Sequence, residues 1–137
     1  MNLSPLLLSL LATVLSHGQI PSAPGAELQL AADGYFVADI GDKKTYRYDI
    51  AGNSSLTHRQ LFCEMGSDGM TLDTDGNLYL TGKGVTVFDK DGKKLGEIPV
   101  PQGWTANVTF GGKDMKTLFI TAMDSLYTLE MSVQGVR

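Results

Sequence analysis

Asp68 is the residue of this chain best placed to do chemistry. It stands in Gly66-Ser67-Asp68-Gly69-Met70-Thr71-Leu72-Asp73, a carboxylate just ahead of a glycine and a short alternating run. A carboxylate at the mouth of a strand can take a proton from water or ligate a hard cation. Its plainer role is to stay solvated in the turn or to cap the backbone there. Asn107, in Trp104-Thr105-Ala106-Asn107, opens a similar run and offers an amide for substrate contact or, more plainly, a strand-start amide. Trp104 reads as packing between sheets rather than as a sugar platform. Asp73-Thr74-Asp75-Gly76-Asn77 and Asp89-Lys90-Asp91-Gly92 lack the spacing and distant Glu of a calcium loop, so they read as hairpin turns. Cys63 is the single cysteine and follows Leu61 and Phe62. It cannot form an intramolecular disulfide, and its neighbours imply a buried, inert thiol. His17 and His58 have no Ser or Cys partner in pattern, and there is no Gly-x-Ser-x-Gly motif. Asn53-Ser54-Ser55 and Asn107-Val108-Thr109 are glycosylation sequons, which matter only in a host that glycosylates.

The elements that must position these residues are short and repeated. Tyr35-Phe36-Val37-Ala38, Leu78-Tyr79-Leu80-Thr81 and Leu118-Phe119-Ile120-Thr121 recur about 40 residues apart. Each follows another short run (28–31, 70–73 and 108–111) and precedes a third (45–49, 85–89 and 126–130). Residues 58–64 and 94–100 supply a fourth run to the first two units. Alternation of apolar and polar residues predicts half-buried antiparallel strands, and Asp-Gly between such runs predicts tight hairpins. Three units with up to four strands each predict an all-β partial β-propeller. Propellers close with about 4–8 blades. Three units alone therefore cannot complete a ring, and open blade edges invite self-association.

Composition sets the remaining bounds. The 137 residues suit one domain, and 42% hydrophobic with 19% charged residues fits a globular chain. A net charge of −4 without a basic stripe argues against a nucleic-acid partner. Residues 1–18 read as an export signal. The apolar core at 6–14 is too short to span a bilayer, and Ser16 and Gly18 suit a cut before Gln19, although no Lys or Arg follows Met1. A retained N-terminal helix or an uncleaved anchor is the alternative. Residues 19–25, with Pro21 and Pro24, read as a linker, which leaves 26–137 as the folded part. The export signal implies a periplasmic or extracellular protein with no membrane attachment once the signal is removed.

The ordered motifs resemble a known family. Ser67-Asp68-Gly69-Met70-Thr71-Leu72-Asp73, Gly76-Asn77-Leu78-Tyr79 and Gly84-Val85-Thr86-Val87-Phe88-Asp89 are similar to the C-terminal half of the gluconolactonase/regucalcin (senescence marker protein-like) family. So are Phe110-Gly111-Gly112-Lys113, Thr117-Leu118-Phe119-Ile120-Thr121-Ala122, Val37-Ala38-Asp39-Ile40-Gly41 and Thr45-Tyr46-Arg47-Tyr48-Asp49, over roughly residues 33–132. The resemblance implies a six-bladed propeller, a divalent cation in its channel and hydrolysis of a sugar lactone. It implies Ca²⁺ first, with Mg²⁺, Mn²⁺ or Zn²⁺ as options, and Asp68 as metal ligand and catalytic base. The family's metal-binding Asn falls at Ala26, and the third unit has Ala106 at the matching place. The neighbouring Glu27 becomes the candidate substitute ligand or, more plainly, a surface strand end, and Asn107 the candidate substrate contact. Asp68 offers at most two oxygens where Ca²⁺ usually takes about six to eight. Three expectations follow: a metal-dependent lactone hydrolase, a non-catalytic propeller fragment or interaction module, or a truncated product lacking the other ligands.

Overall fold

A computed structural model describes residues 34–52 and 55–137. Residues 1–18, 19–25, 28–31, Ala26, Glu27, His17 and the sequon asparagine Asn53 lie outside the described residues. Among the described residues there is no helix long and apolar enough to cross a membrane.

Alternating side chains and tight turns give three antiparallel sheets, each a meander of neighbours in sequence. Blade 1 contains β1 (Gly34–Asp39), β2 (Lys44–Ile50) and β3 (Leu56–Cys63). Blade 2 contains β4 (Met70–Leu72), β5 (Leu78–Gly82), β6 (Gly84–Phe88) and β7 (Lys94–Ile98). Blade 3 contains β8 (Asn107–Gly111), β9 (Thr117–Ala122) and β10 (Ser125–Glu130). The architecture is all-β and that of a partial β-propeller, as the repeat predicts. Only blade 2 shows all four strands among the described residues, and blade 3 lacks the outer strand, also as predicted. The outer strand of blade 1 starts two residues before the predicted 58. A register shift between Arg47 and Asp49 lets it extend past His58, whose φ is 49°.

Two apolar seams join the sheets. Between blades 1 and 2, Cys63, Leu78, Leu80 and Phe88 are buried with Phe36, Phe62, Met65, Met70 and Leu72 against them. Phe36 and Phe62 meet edge to face at 4.8 Å. Between blades 2 and 3, Tyr79, Val85, Val108, Phe110, Leu118 and Ile120 form the buried cluster. The period-two alternation of β5 explains this split, since Leu78 and Leu80 face one sheet and Tyr79 the other.

The turns follow their aspartates. The Asp73 carboxylate accepts the backbone N–H groups of Asp75 and Asn77, and the Asp89 carboxylate does the same for Asp91 and Lys93. Gly92 completes the second turn at φ 81°, and a Cβ there would lie 2.0 Å from the Phe62 carbonyl of blade 1. Hairpin turns are thus what both aspartate-rich segments form.

The chain after β10 doubles back under blades 2 and 3. Thr74 N–H donates to the Gln134 carbonyl, Gly135 N–H to Met115 and Val136 N–H to Leu72. Gly135 also bridges Asp73. This tail ties the second seam together at the end opposite the inter-blade connections 64–69 and 99–106.

Candidate functional site

The connections 64–69 and 99–106 bring the starts of two inner strands, β4 and β8, side by side. Hydroxyl groups hold each connection in place. Ser67 Oγ accepts the Thr81 N–H at 2.7 Å and lies 2.5 Å from the Gly69 carbonyl, to which it donates. The Thr81 hydroxyl accepts the Gly69 N–H at 2.9 Å. Thr105, the matching residue in the next unit, accepts the Gly82 N–H at 3.0 Å and donates to the Gly84 carbonyl at 2.5 Å. Ser67 and Thr105 are buried, at 5% and 0% exposure, so these bonds form away from competing water.

Asp68 sits between two fixed residues. Its side chain is exposed, and it makes no hydrogen bond or ion pair with the described residues. The next residue, Gly69, packs directly on Asn107, where a Cβ would lie 2.3 Å from Oδ1 and 2.7 Å from Cα. Glycine is the residue that permits this approach. Asp68 and Asn107 are thereby brought to neighbouring places at one end of the inner strands. Asn107 is exposed, and its Oδ1 accepts the Val108 N–H at 2.9 Å. It is a strand-start amide as well as a neighbour of Asp68. The matching residue Ala106 has no polar side chain, but its carbonyl accepts the Thr81 hydroxyl at 3.3 Å.

These donors suit a hard divalent cation in kind, because they are carboxylate and amide oxygens rather than thiolates. They do not suit it in number. Among the described residues no three His, Cys, Asp or Glu side chains gather as a metal-binding group. Asp68 with Asn107 falls well short of a calcium shell, so one copy of the described structure does not fit the ion. Glu27 lies outside the described residues.

Trp104 is 40% exposed, which corrects the expectation that it packs between sheets. Its loop is held through Thr105 instead, leaving the indole at the surface. Cys63 is buried as expected, and burial pushes its thiol pKa up. His58 lies on the outer strand of blade 1, where it meets the Asp49 carboxylate at 3.0 Å in solvent.

Sequence reasoning missed the most buried carboxylate among the described residues, Asp73, at 1% exposure. Besides its two backbone donors, Oδ2 accepts Asn77 Nδ2 at 2.8 Å and the Tyr79 hydroxyl at 2.9 Å. Four donors let a carboxylate stay in the seam without a cation partner. Burial first, and then the hydrogen bond to Asp73, push the Tyr79 pKa well above its ordinary value. The signal for this arrangement was Tyr79 itself, a hydroxyl on a strand leaving an Asp-x-Asp-Gly-Asn turn.

The family described as SMP-30/gluconolactonase/LRE-like region matches residues 11–124. The chain belongs to that family. Among curated relatives, a 6-deoxy-6-sulfogluconolactonase of Pseudomonas putida is 34% identical over 94 residues, covering 62% of this chain and 32% of the relative. A pentonolactonase of Haloferax volcanii is 29% identical over 96 residues, covering 64% and 33%. The chain thus spans about a third of the length of these curated relatives. The solved structure of a calcium-binding regucalcin from Agrobacterium tumefaciens superposes with a TM-score of 0.64 at 20% identity, covering 77% of this chain and 44% of that one. This likeness shows the shared fold of the SMP-30/gluconolactonase family. The resemblance read from the motifs is therefore borne out at the family level.

Proposed function

We propose that the chain carries part of a sugar-lactone hydrolase site, with Asp68 as its acid–base group. The observation that carries this reading is the seating of Asp68-Gly69 on Asn107. It leaves an exposed, unpaired carboxylate beside an amide at the end where two inner strands begin. Family membership and relatives named as lactonases supply the substrate class. In the proposed step the Asp68 carboxylate takes a proton from water as the water oxygen bonds to the lactone carbonyl carbon. The carbonyl carbon–ring oxygen bond then breaks, the ring oxygen receives a proton, and an open-chain hydroxy acid is released. Asn107 would orient the substrate through its amide nitrogen, since Oδ1 is engaged with Val108.

A divalent cation belongs to the proposal, calcium before magnesium, manganese or zinc, because one solved relative is described as calcium-binding. The step assigned to this chain runs on its own carboxylate, since a single copy does not fit the ion. Export to the periplasm or extracellular space, read from residues 1–18, is part of the same proposal, as is self-association through open blade faces.

The test is turnover of glucono-lactone followed by acid release, with each cation supplied in turn. Asp68→Asn, which keeps shape and removes basicity, is expected to lower kcat by about 10²–10⁴-fold. An unchanged rate in that variant would remove Asp68 from the chemistry. The second reading, a non-catalytic propeller module, is favoured by the lack of a three-ligand cluster among the described residues. It is the outcome if folded protein turns over no lactone with any of the four ions.

A further inference from the structure

The two connections that carry Asp68 and Asn107 meet at one residue, Thr81, near the end of β5. Thr81 is fully buried. On one side its hydroxyl accepts the N–H of Gly69, the residue after Asp68, at 2.9 Å. On the other it lies 3.3 Å from the carbonyl of Ala106, the residue before Asn107. A hydroxyl has one proton to give, and two nearer acceptors are already engaged. The Gly69 carbonyl, 3.0 Å away, takes the Ser67 hydroxyl at 2.5 Å and the Thr81 N–H at 3.1 Å. Ser67 Oγ, 3.1 Å away, accepts that same N–H at 2.7 Å. The Thr81 proton therefore goes across the seam to Ala106. Gly82, next on β5, strengthens the junction, since its carbonyl accepts the Thr105 N–H at 2.8 Å. The blade repeat does not itself demand a buried hydroxyl here. Blade 1 has Ala38 at the matching place, and in blade 3 Thr121 is exposed, its hydroxyl 3.4 Å from the Asn107 carbonyl of its own sheet.

We propose that Thr81 is a positioning residue whose single hydroxyl fixes the spacing between Asp68 and Asn107. The inference deepens the lactonase reading and rests on it for the effect on turnover, whereas the fixed spacing stands on the bonds alone. A base and a substrate contact on separate connections act together only while their separation is held. A displacement of about 1 Å can cost about 10²-fold in rate. Without the hydroxyl, the Gly69 N–H loses its partner in a site closed to water, and nothing links Gly69 to Ala106 through this side chain. The 64–69 connection then shifts to find another acceptor, and Asp68 moves away from Asn107.

Thr81→Val keeps the shape of the side chain and removes the hydroxyl, and Thr81→Ser keeps the hydroxyl. Both are compared with wild type at a temperature where circular dichroism shows native strand content. Nuclear magnetic resonance reads the spacing without metal or lactone. A Cβ on Gly69 would lie 2.7 Å from the Asn107 Cα, so a Gly69 Hα proton points at Asn107. Wild type and Thr81→Ser should show a strong nuclear Overhauser effect between the Hα protons of these two residues, and Thr81→Val should lose it. An effect of equal strength in Thr81→Val would overturn the inference. Turnover of glucono-lactone reads the consequence. Thr81→Val is expected to lower kcat by about 10²-fold with KM unchanged, and Thr81→Ser to retain the wild-type rate. A Thr81→Val protein that loses the Hα contact and keeps its kcat would overturn the positioning role. A wild type that shows the contact and turns over no lactone would remove the lactonase reading, and the contrast between the two variants would then decide the spacing by itself. Should Thr81→Val lose its strands, wild type carries the test. Its Thr81 hydroxyl proton should exchange slowly and lie close to the Asn107 N–H, and exchange at the rate of a free hydroxyl would overturn the inference.

Discussion

Asp73 and Tyr79 show how one buried carboxylate can hold a seam together. The Tyr79 hydroxyl is one of four donors, and removing it leaves Asp73 one partner short in a site closed to water. Tyr79→Phe is expected to lower stability by about 1.5–3 kcal/mol at neutral pH, the range for hydrogen bonds to charged groups. The pH dependence has a definite sign. The folded pKa of Tyr79 lies above its ordinary value of 10.0, so the unfolded chain releases this proton first. Stability from this group is intact below pH 10 and is lost as pH rises through the folded value, by at most about 1.4 kcal/mol per pH unit. Urea melts between about pH 9 and 11 should show that decline in the wild type and a shallower one in Tyr79→Phe. Cys63 offers a parallel measurement. Its raised pKa and burial predict slow reaction with a thiol reagent in the native state and rapid reaction in urea.

Elements in this fold are set by turns, and the turns by aspartate and glycine. Gly92 carries two demands at once, a positive φ and the Phe62 carbonyl of blade 1 where an added Cβ would sit. Gly92→Ala is expected to cost about 2–4 kcal/mol by breaking the fit of β3 to the β6–β7 turn. Gly96, on β7 with open space around it, is the control, and Gly96→Ala should leave stability unchanged or raise it by up to about 1 kcal/mol. Chemical denaturation of both variants checks the contrast. Such turns and the alternation between them were legible in the sequence because they are local. That is why Leu78, Leu80, Leu118 and Ile120 are assigned to strands by the sequence pattern. What was not legible depends on packing between units. The exposure of Trp104 follows from Thr105 binding the backbone of blade 2, a contact more than 20 residues away in sequence. The burial of Asp73 likewise depends on the tail passing beneath it. Asp68 could be picked out as a candidate, but its closeness to Asn107 arises only when two connections meet across a seam.

At the scale of the whole molecule, the two seams are fastened differently. The first relies on side-chain packing, with two methionines and an edge-to-face phenylalanine pair among its contacts. The second adds the returning tail, whose backbone bonds reach Leu72 and Thr74 on blade 2 and Met115 on blade 3. Blade 3 cannot leave blade 2 until those bonds open, whereas nothing comparable straps blade 1 among the described residues. Opening free energy should therefore differ between the seams, with blade 1 exchanging its amide hydrogens sooner than β5, β8 and β9. Hydrogen exchange resolved by peptide would measure that order, and equal protection across all three sheets would contradict it.

The strap has a practical consequence for limited digestion. A protease able to cut only transiently freed backbone should cut within blade 1 or just after it, ahead of the pinned Ser67, and the surviving piece should run from about Ser67 to Arg137. Removing the last six residues should abolish that survivor, because the two remaining sheets would then lose their backbone stitching and be degraded together.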